Sequence, residues 1–176
     1  MKQKIIAIIL ALALALSLPG GTLAAEGDAR QTDFADMEYK HIEPEPILAQ
    51  IGEARELLDD AANAERVEEL YEQISDDYQE MFTMTILVTI RSDQDIWDEE
   101  AVAENIWCTE RNTLVSDAIL ALIRDILNSP CGAFLAGRLG PEGAEELGQY
   151  EEMTDRQREL SAREIALESE YNMLAS

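Results

Sequence analysis

In a chain of 176 residues, 37 aspartates and glutamates face 13 lysines and arginines, a formal charge of −24. A surface so negative repels phosphate backbones and anionic lipid headgroups, which argues against nucleic-acid and membrane-surface partners. Apolar residues make up 47% of the chain, too many for global disorder, and the length predicts one domain with a real core.

The first 25 residues have the order of an export signal. Lys2 and Lys4 precede an apolar run over residues 5–18, then Pro19-Gly20-Gly21 and the small residues up to Ala25. The run is shorter than the roughly 20 residues of a membrane-spanning helix. Cleavage after Ala24 or Ala25 is expected, leaving a soluble secreted or periplasmic protein. No cysteine lies near that point to carry a lipid anchor, and removal of Lys2 and Lys4 makes the balance more negative still.

Residues 26–46 read as a polar, aperiodic linker, with Pro46 suited to a first helical turn. Ile47, Leu48, Ile51, Leu57 and Leu58 then repeat at helical spacing up to about Asp60, with a break over residues 59–63. A second helix is predicted from about Ala64 to Arg91. Val67, Leu70, Tyr71, Ile74, Tyr78, Met81 and Phe82 keep one face apolar, and the strand-like alternation over residues 83–90 is assigned to the helix because a lone strand would lack a partner. Asp95 is the expected N-cap of a third helix, from about Ile96 to Asn128, stopped by Ser129-Pro130. Helices of this length should pair as a long antiparallel hairpin. Short elements are expected over residues 132–140 and 141–150. Thr154 and Gln157 form a capping box ahead of a last helix through Leu160, Leu167, Tyr171 and Leu174. The fold class is all-α, a long helical hairpin plus shorter helices over residues 47–176.

The chemical inventory is sparse. The single histidine, His41, sits beside Glu43 and Glu45 in the linker; no second imidazole is available, so it reads as a surface histidine with acidic neighbours and not as a metal ligand. An H-E-x-x-H zinc motif needs two histidines, and a G-x-S-x-G turn is absent. Asp93 and Asp95 begin like a calcium loop, but Trp97 and Asp98 stand where an oxygen ligand and a glycine belong, so capping explains these acids. Glu65, Glu68, Glu69 and Glu72 lie three or four apart as expected in so acidic a chain. Cys108 and Cys131 are too far apart along a continuous helix to bridge, which predicts two free, mostly buried thiols. The Tyr71, Tyr78, Met81 and Phe82 stripe, and Trp97 and Trp107, read as core. Arg156, Arg158 and Arg163, interleaved with Asp155, Glu159 and Glu164, read as a solvated face.

Several segments carry a resemblance. Phe34-Ala35-Asp36-Met37-Glu38-Tyr39, Pro44-Glu45-Pro46, the Leu-rich first helix, the Trp97-Asp98 helix start, Ser129-Pro130-Cys131 and Arg156-Gln157-Arg158-Glu159-Leu160 together resemble the N-terminal region of oligoendopeptidase F-type, thimet-oligopeptidase-like zinc metallopeptidases. The resemblance implies a helical lobe over a deep peptide channel. Zinc is then expected only in a catalytic half beyond Ser176, and no catalytic, cofactor-binding or metal-binding residue is expected in these 176. The implied protein is an exported, non-catalytic lobe of a truncated or split peptidase, with a separately encoded catalytic chain or short peptides as partners. The alternative is an independent extracellular helical binding or structural protein. The first reading predicts an exposed apolar strip, the second a self-contained polar surface.

Overall fold

The structure, a computed structural model, describes residues 37–174. The expected signal over residues 1–25, the first part of the linker and Phe34 lie outside the described residues. Five α-helices follow one another, and no strand occurs among the described residues: α1 Glu45–Glu56, α2 Ala64–Gln94, α3 Glu99–Leu127, α4 Ala133–Gly148 and α5 Asp155–Leu174. The all-α expectation holds.

Helix α1 has a proline in its first turn and buries Ile47, Ile51 and Ala54. It ends at Glu56, four residues before the expected limit. There the Asn63 amide donates to the Leu57 carbonyl (3.0 Å), and the Asp60 side chain accepts from the Ala62 N–H (2.9 Å) to start a 3-10 turn, Ala61–Asn63. Helices α2 and α3 are 31 and 29 residues long, about 46 and 44 Å, and pack against each other as the expected hairpin. The strand-like run in α2 stays helical. The hydroxyls of Thr83, Thr85 and Thr89 donate to the carbonyls of Gln79, Met81 and Thr85 at 2.8–3.0 Å, so each finds a partner on its own helix.

The hairpin turn departs from expectation in its cap. Asp98, not Asp95, caps α3, accepting from the N–H groups of Glu100 and Ala101 at 3.1 Å, while Asp95 accepts from the Trp97 N–H at 3.1 Å. Two stacked Asx interactions therefore displace the helix start by three residues.

The largest core cluster lies on one half of the hairpin, and Met84, Leu87, Val88 and Cys108 are buried on the other. The cluster unites Ile47 and Ile51 of α1, Val67, Leu70 and Ile74 of α2, Ile119, Leu122, Ile123 and Ile126 of α3, and Leu135 of α4. Five consecutive residues of α3, 119–123, are buried, so that stretch is enclosed on every side, as a helix apolar all round must be. α1, α2, α4 and α5 each contact α3.

Beyond the end of α3 at Leu127, Gly132 lets the chain reverse at close range. A Cβ there would lie 2.6 Å from the Ile126 carbonyl oxygen and 3.0 Å from that of Leu127. Gly132→Ala is expected to cost about 1–3 kcal/mol, read as a lower urea midpoint with unchanged slope. The two short elements expected after it are both present, helical on either side of a break at Gly140 (φ 71°) just before Pro141, and together are numbered α4. Glycine takes the left-handed backbone there, and proline restarts the helix.

Candidate functional site

Residues 37–44 precede α1 and lie as a strap across the α2/α3 hairpin. The Lys40 N–H meets the Met84 sulfur at 3.3 Å, and the Arg91 guanidinium donates to the Met37 carbonyl at 3.2 Å. On α3, Glu104, Trp107, Cys108 and Arg111 recur at three- and four-residue spacing and so share a face. This face receives the strap. The Tyr39 hydroxyl donates to the Glu104 carboxylate and lies 3.4 Å from the Cys108 sulfur. His41 places Nδ1 2.7 Å from Glu104 and Nε2 3.2 Å from Glu43, with its ring stacked on Trp107 at 4.1 Å between centroids. Arg111 stands 5.7 Å from the centroid of the same indole.

The electrostatics favour a latch over a catalytic pair. The hydrogen bond to Glu104 raises the His41 pKa, against the opposing effect of burial. Burial alone would raise Glu104, but the hydrogen bonds from Tyr39 and His41 hold it below the usual carboxylate range. Burial pushes both the Tyr39 hydroxyl and the Cys108 thiol up, so both stay protonated and neither is an activated nucleophile. The attraction of charged His41 for Glu104 is complete below the ordinary histidine value of 6.5 and fades as pH rises through the raised one. At the acid end it fades as pH falls through the lowered Glu104 value. In a proton NMR titration the His41 ring of the folded chain is expected to change charge at higher pH than in a free peptide of residues 37–46; equal midpoints would contradict the contact.

The sequence expected acidic neighbours for His41. Glu43 is one, while Glu104, 63 residues away, was invisible from the linker. Among the described residues no group of three or more His, Cys, Asp or Glu is placed to hold a metal ion. With one imidazole engaged by two carboxylates, the residues present do not fit a peptidase zinc.

The other residues singled out by sequence have structural partners. Arg138 binds Glu72 (2.7 Å) and Glu68, and Arg66 binds Glu53 (2.9 Å) and Glu69 (3.2 Å), so Glu68, Glu69 and Glu72 of α2 are paired with guanidinium groups. Cys108 and Cys131 are free and buried. Tyr71, Tyr78 and Met81 are core, with Phe82 packed beside them, and burial pushes the Tyr78 hydroxyl up to about 12.

Two expectations are corrected. Trp97 is 70% exposed and not core: it sits in the turn before α3, where its N–H donates to Asp95. Arg158 is not a free member of a solvated face. Its guanidinium reaches 3.0 Å from buried Asp117 of α3, which also accepts from the Tyr150 hydroxyl (2.7 Å) and the Met153 N–H (3.0 Å). Together with Asn128 donating to the Gly148 carbonyl and Arg124 to that of Tyr150, these bonds lead the chain back along α3 to the start of α5. The exposed large apolar side chains among the described residues are Ile86 and Trp97 on the hairpin and Leu160, Leu167 and Tyr171 on α5. No described helix is long and apolar enough to cross a membrane.

Comparison with protein families matches residues 34–147, more than half of the chain, to the model described as the Peptidase M3 N-terminal domain. No curated protein and no solved structure matches the chain.

Proposed function

The chain belongs to the Peptidase M3 N-terminal domain family, and on that premise we propose that it is an exported, non-catalytic lobe of the oligoendopeptidase F type. In this reading the lobe helps to shape the peptide channel of a zinc peptidase whose metal-binding segment lies outside these 176 residues, later in the same polypeptide or on a separately encoded chain. The match over α1 to α4 carries the reading. The single histidine supports it, since one imidazole cannot supply the pair that H-E-x-x-H requires.

The coding sequence that adjoins this chain, in frame and in the next open frame, tests the proposal. An H-E-x-x-H segment with a glutamate downstream is expected there. If none exists, and the chain stays unbound when mixed with a catalytic half of the same family, the independent helical binding protein becomes the better reading.

A further inference from the structure

Helix α5 lies beyond the family match, which ends at residue 147, and one of its faces is exposed, with Arg156 on it held by Glu159 at 2.7 Å. Arg158, Ser161, Ala162, Ile165 and Ala166 are partly buried, marking the side turned toward the rest of the molecule. Leu160, Leu167 and Tyr171 are 47%, 53% and 69% exposed. At 3.6 residues per turn these three fall within an arc of about 40° on the opposite side, and Arg156, Arg163 and Glu164 widen it to about 100°. The seven-residue spacing from Leu160 to Leu167 recurs in the sequence at Leu174, the repeat by which helices pair side by side.

We propose that this face of α5 pairs with the same face of a second copy of the chain, antiparallel and about a two-fold axis between Arg163 and Glu164. The register follows from the residues. With the axis there, Leu160 meets Leu167 of the second copy, Arg163 meets Glu164, and Arg156 meets Tyr171 as a cation over an aromatic ring; each contact occurs twice by symmetry. A parallel arrangement would set Arg156 on Arg156 and Arg163 on Arg163, so charge selects the antiparallel one. The same pattern explains why the occupant is another copy although the chain as a whole is strongly acidic. This strip carries cations and anions in self-complementary order, with Arg156 and Arg163 both exposed on it. The paired length, residues 156–171, is about 24 Å, so the dimer belongs to the small, reversible class of interfaces. The inference goes beyond the peptidase-lobe reading and does not depend on it.

Sedimentation equilibrium of the full chain and its charge-reversed variants tests the register. The unaltered chain should show a concentration-dependent monomer–dimer equilibrium. Arg163→Glu places like charges against Glu164 twice and should weaken the dimer about tenfold or more. Adding Glu164→Arg to that variant restores opposite charges in the same register and should bring the dimer back to within about threefold of the original. Both positions are exposed, and an unchanged helical circular-dichroism signal confirms that the fold is kept. A chain that stays monomeric up to about 1 mM overturns the proposal and leaves the face to another occupant. Association that survives the single reversal, as association through the apolar run at residues 5–18 would, overturns it equally, as does failure of the double reversal to restore it.

Discussion

Arg158→Ala is expected to destabilise the chain by about 3–5 kcal/mol, a large share of the roughly 5–15 kcal/mol that holds a domain of this size together. The reason lies with the partner left behind. The Asp117 side chain is 1% exposed, and Arg158 is the cation that answers its charge. Without it a carboxylate remains inside the protein with only the Tyr150 hydroxyl and the Met153 N–H, two neutral donors. The reverse change should cost less. After Asp117→Leu the guanidinium, at 32% exposure, still reaches water, Asp155 at 3.2 Å and Glu152 at 3.5 Å. Urea unfolding of the two variants should therefore be asymmetric, and the double variant should cost less than the sum of the singles. A deficit that is equal for the two single variants would show that Arg158 acts by packing alone.

Ile123→Ala carries the second large effect. Ile123 is 0% exposed at the C-terminal end of the enclosed stretch of α3, inside the cluster that α1, α2 and α4 share with it, which limits collapse into the space left. Loss of its buried side chain plus the residual cavity is expected to cost about 2–5 kcal/mol, read as a fall in urea midpoint. The same change at Ile86, which is 42% exposed on the outer part of the hairpin, should cost under about 1 kcal/mol. Similar losses at both positions would contradict the burial of Ile123 and the exposure of Ile86.

What the sequence disclosed and what it hid divide along local and long-range physics. The apolar spacing of Val67, Leu70 and Ile74 fixed the buried face of α2, Ser129-Pro130 the end of α3, and Thr154 with Gln157 the start of α5, where the Gln157 side chain accepts from the Thr154 N–H at 2.8 Å. Each of these signals is complete within a few residues. The choice of Asp98 over Asp95 as cap was hidden because two aspartates three apart are equally able to accept, and the turn that contains Trp97 decides between them.

The enclosure of residues 119–123 depends on α1, α2 and α4 packing against one helix, which periodicity along α3 cannot report. Glu104 and Asp117 were two acids among 37. What sets them apart is the arrival of His41 from 63 residues before one and of Arg158 from 41 residues after the other. A single sequence does not carry such pairings. The face of α3 that holds Glu104, Trp107, Cys108 and Arg111 was in principle readable, since their spacing alone places an acid, an indole, a thiol and a cation side by side.

The proposal that this lobe performs no chemistry alone meets its most direct test in a peptidase assay. The purified chain, supplied with zinc and a quenched fluorogenic peptide, is predicted to release no fluorescence above the buffer rate, because His41 is the one imidazole present and Glu43 and Glu104 already hold it. Multiple turnovers at a specific activity that stays constant through successive purification steps, and that a chelator abolishes, would contradict it.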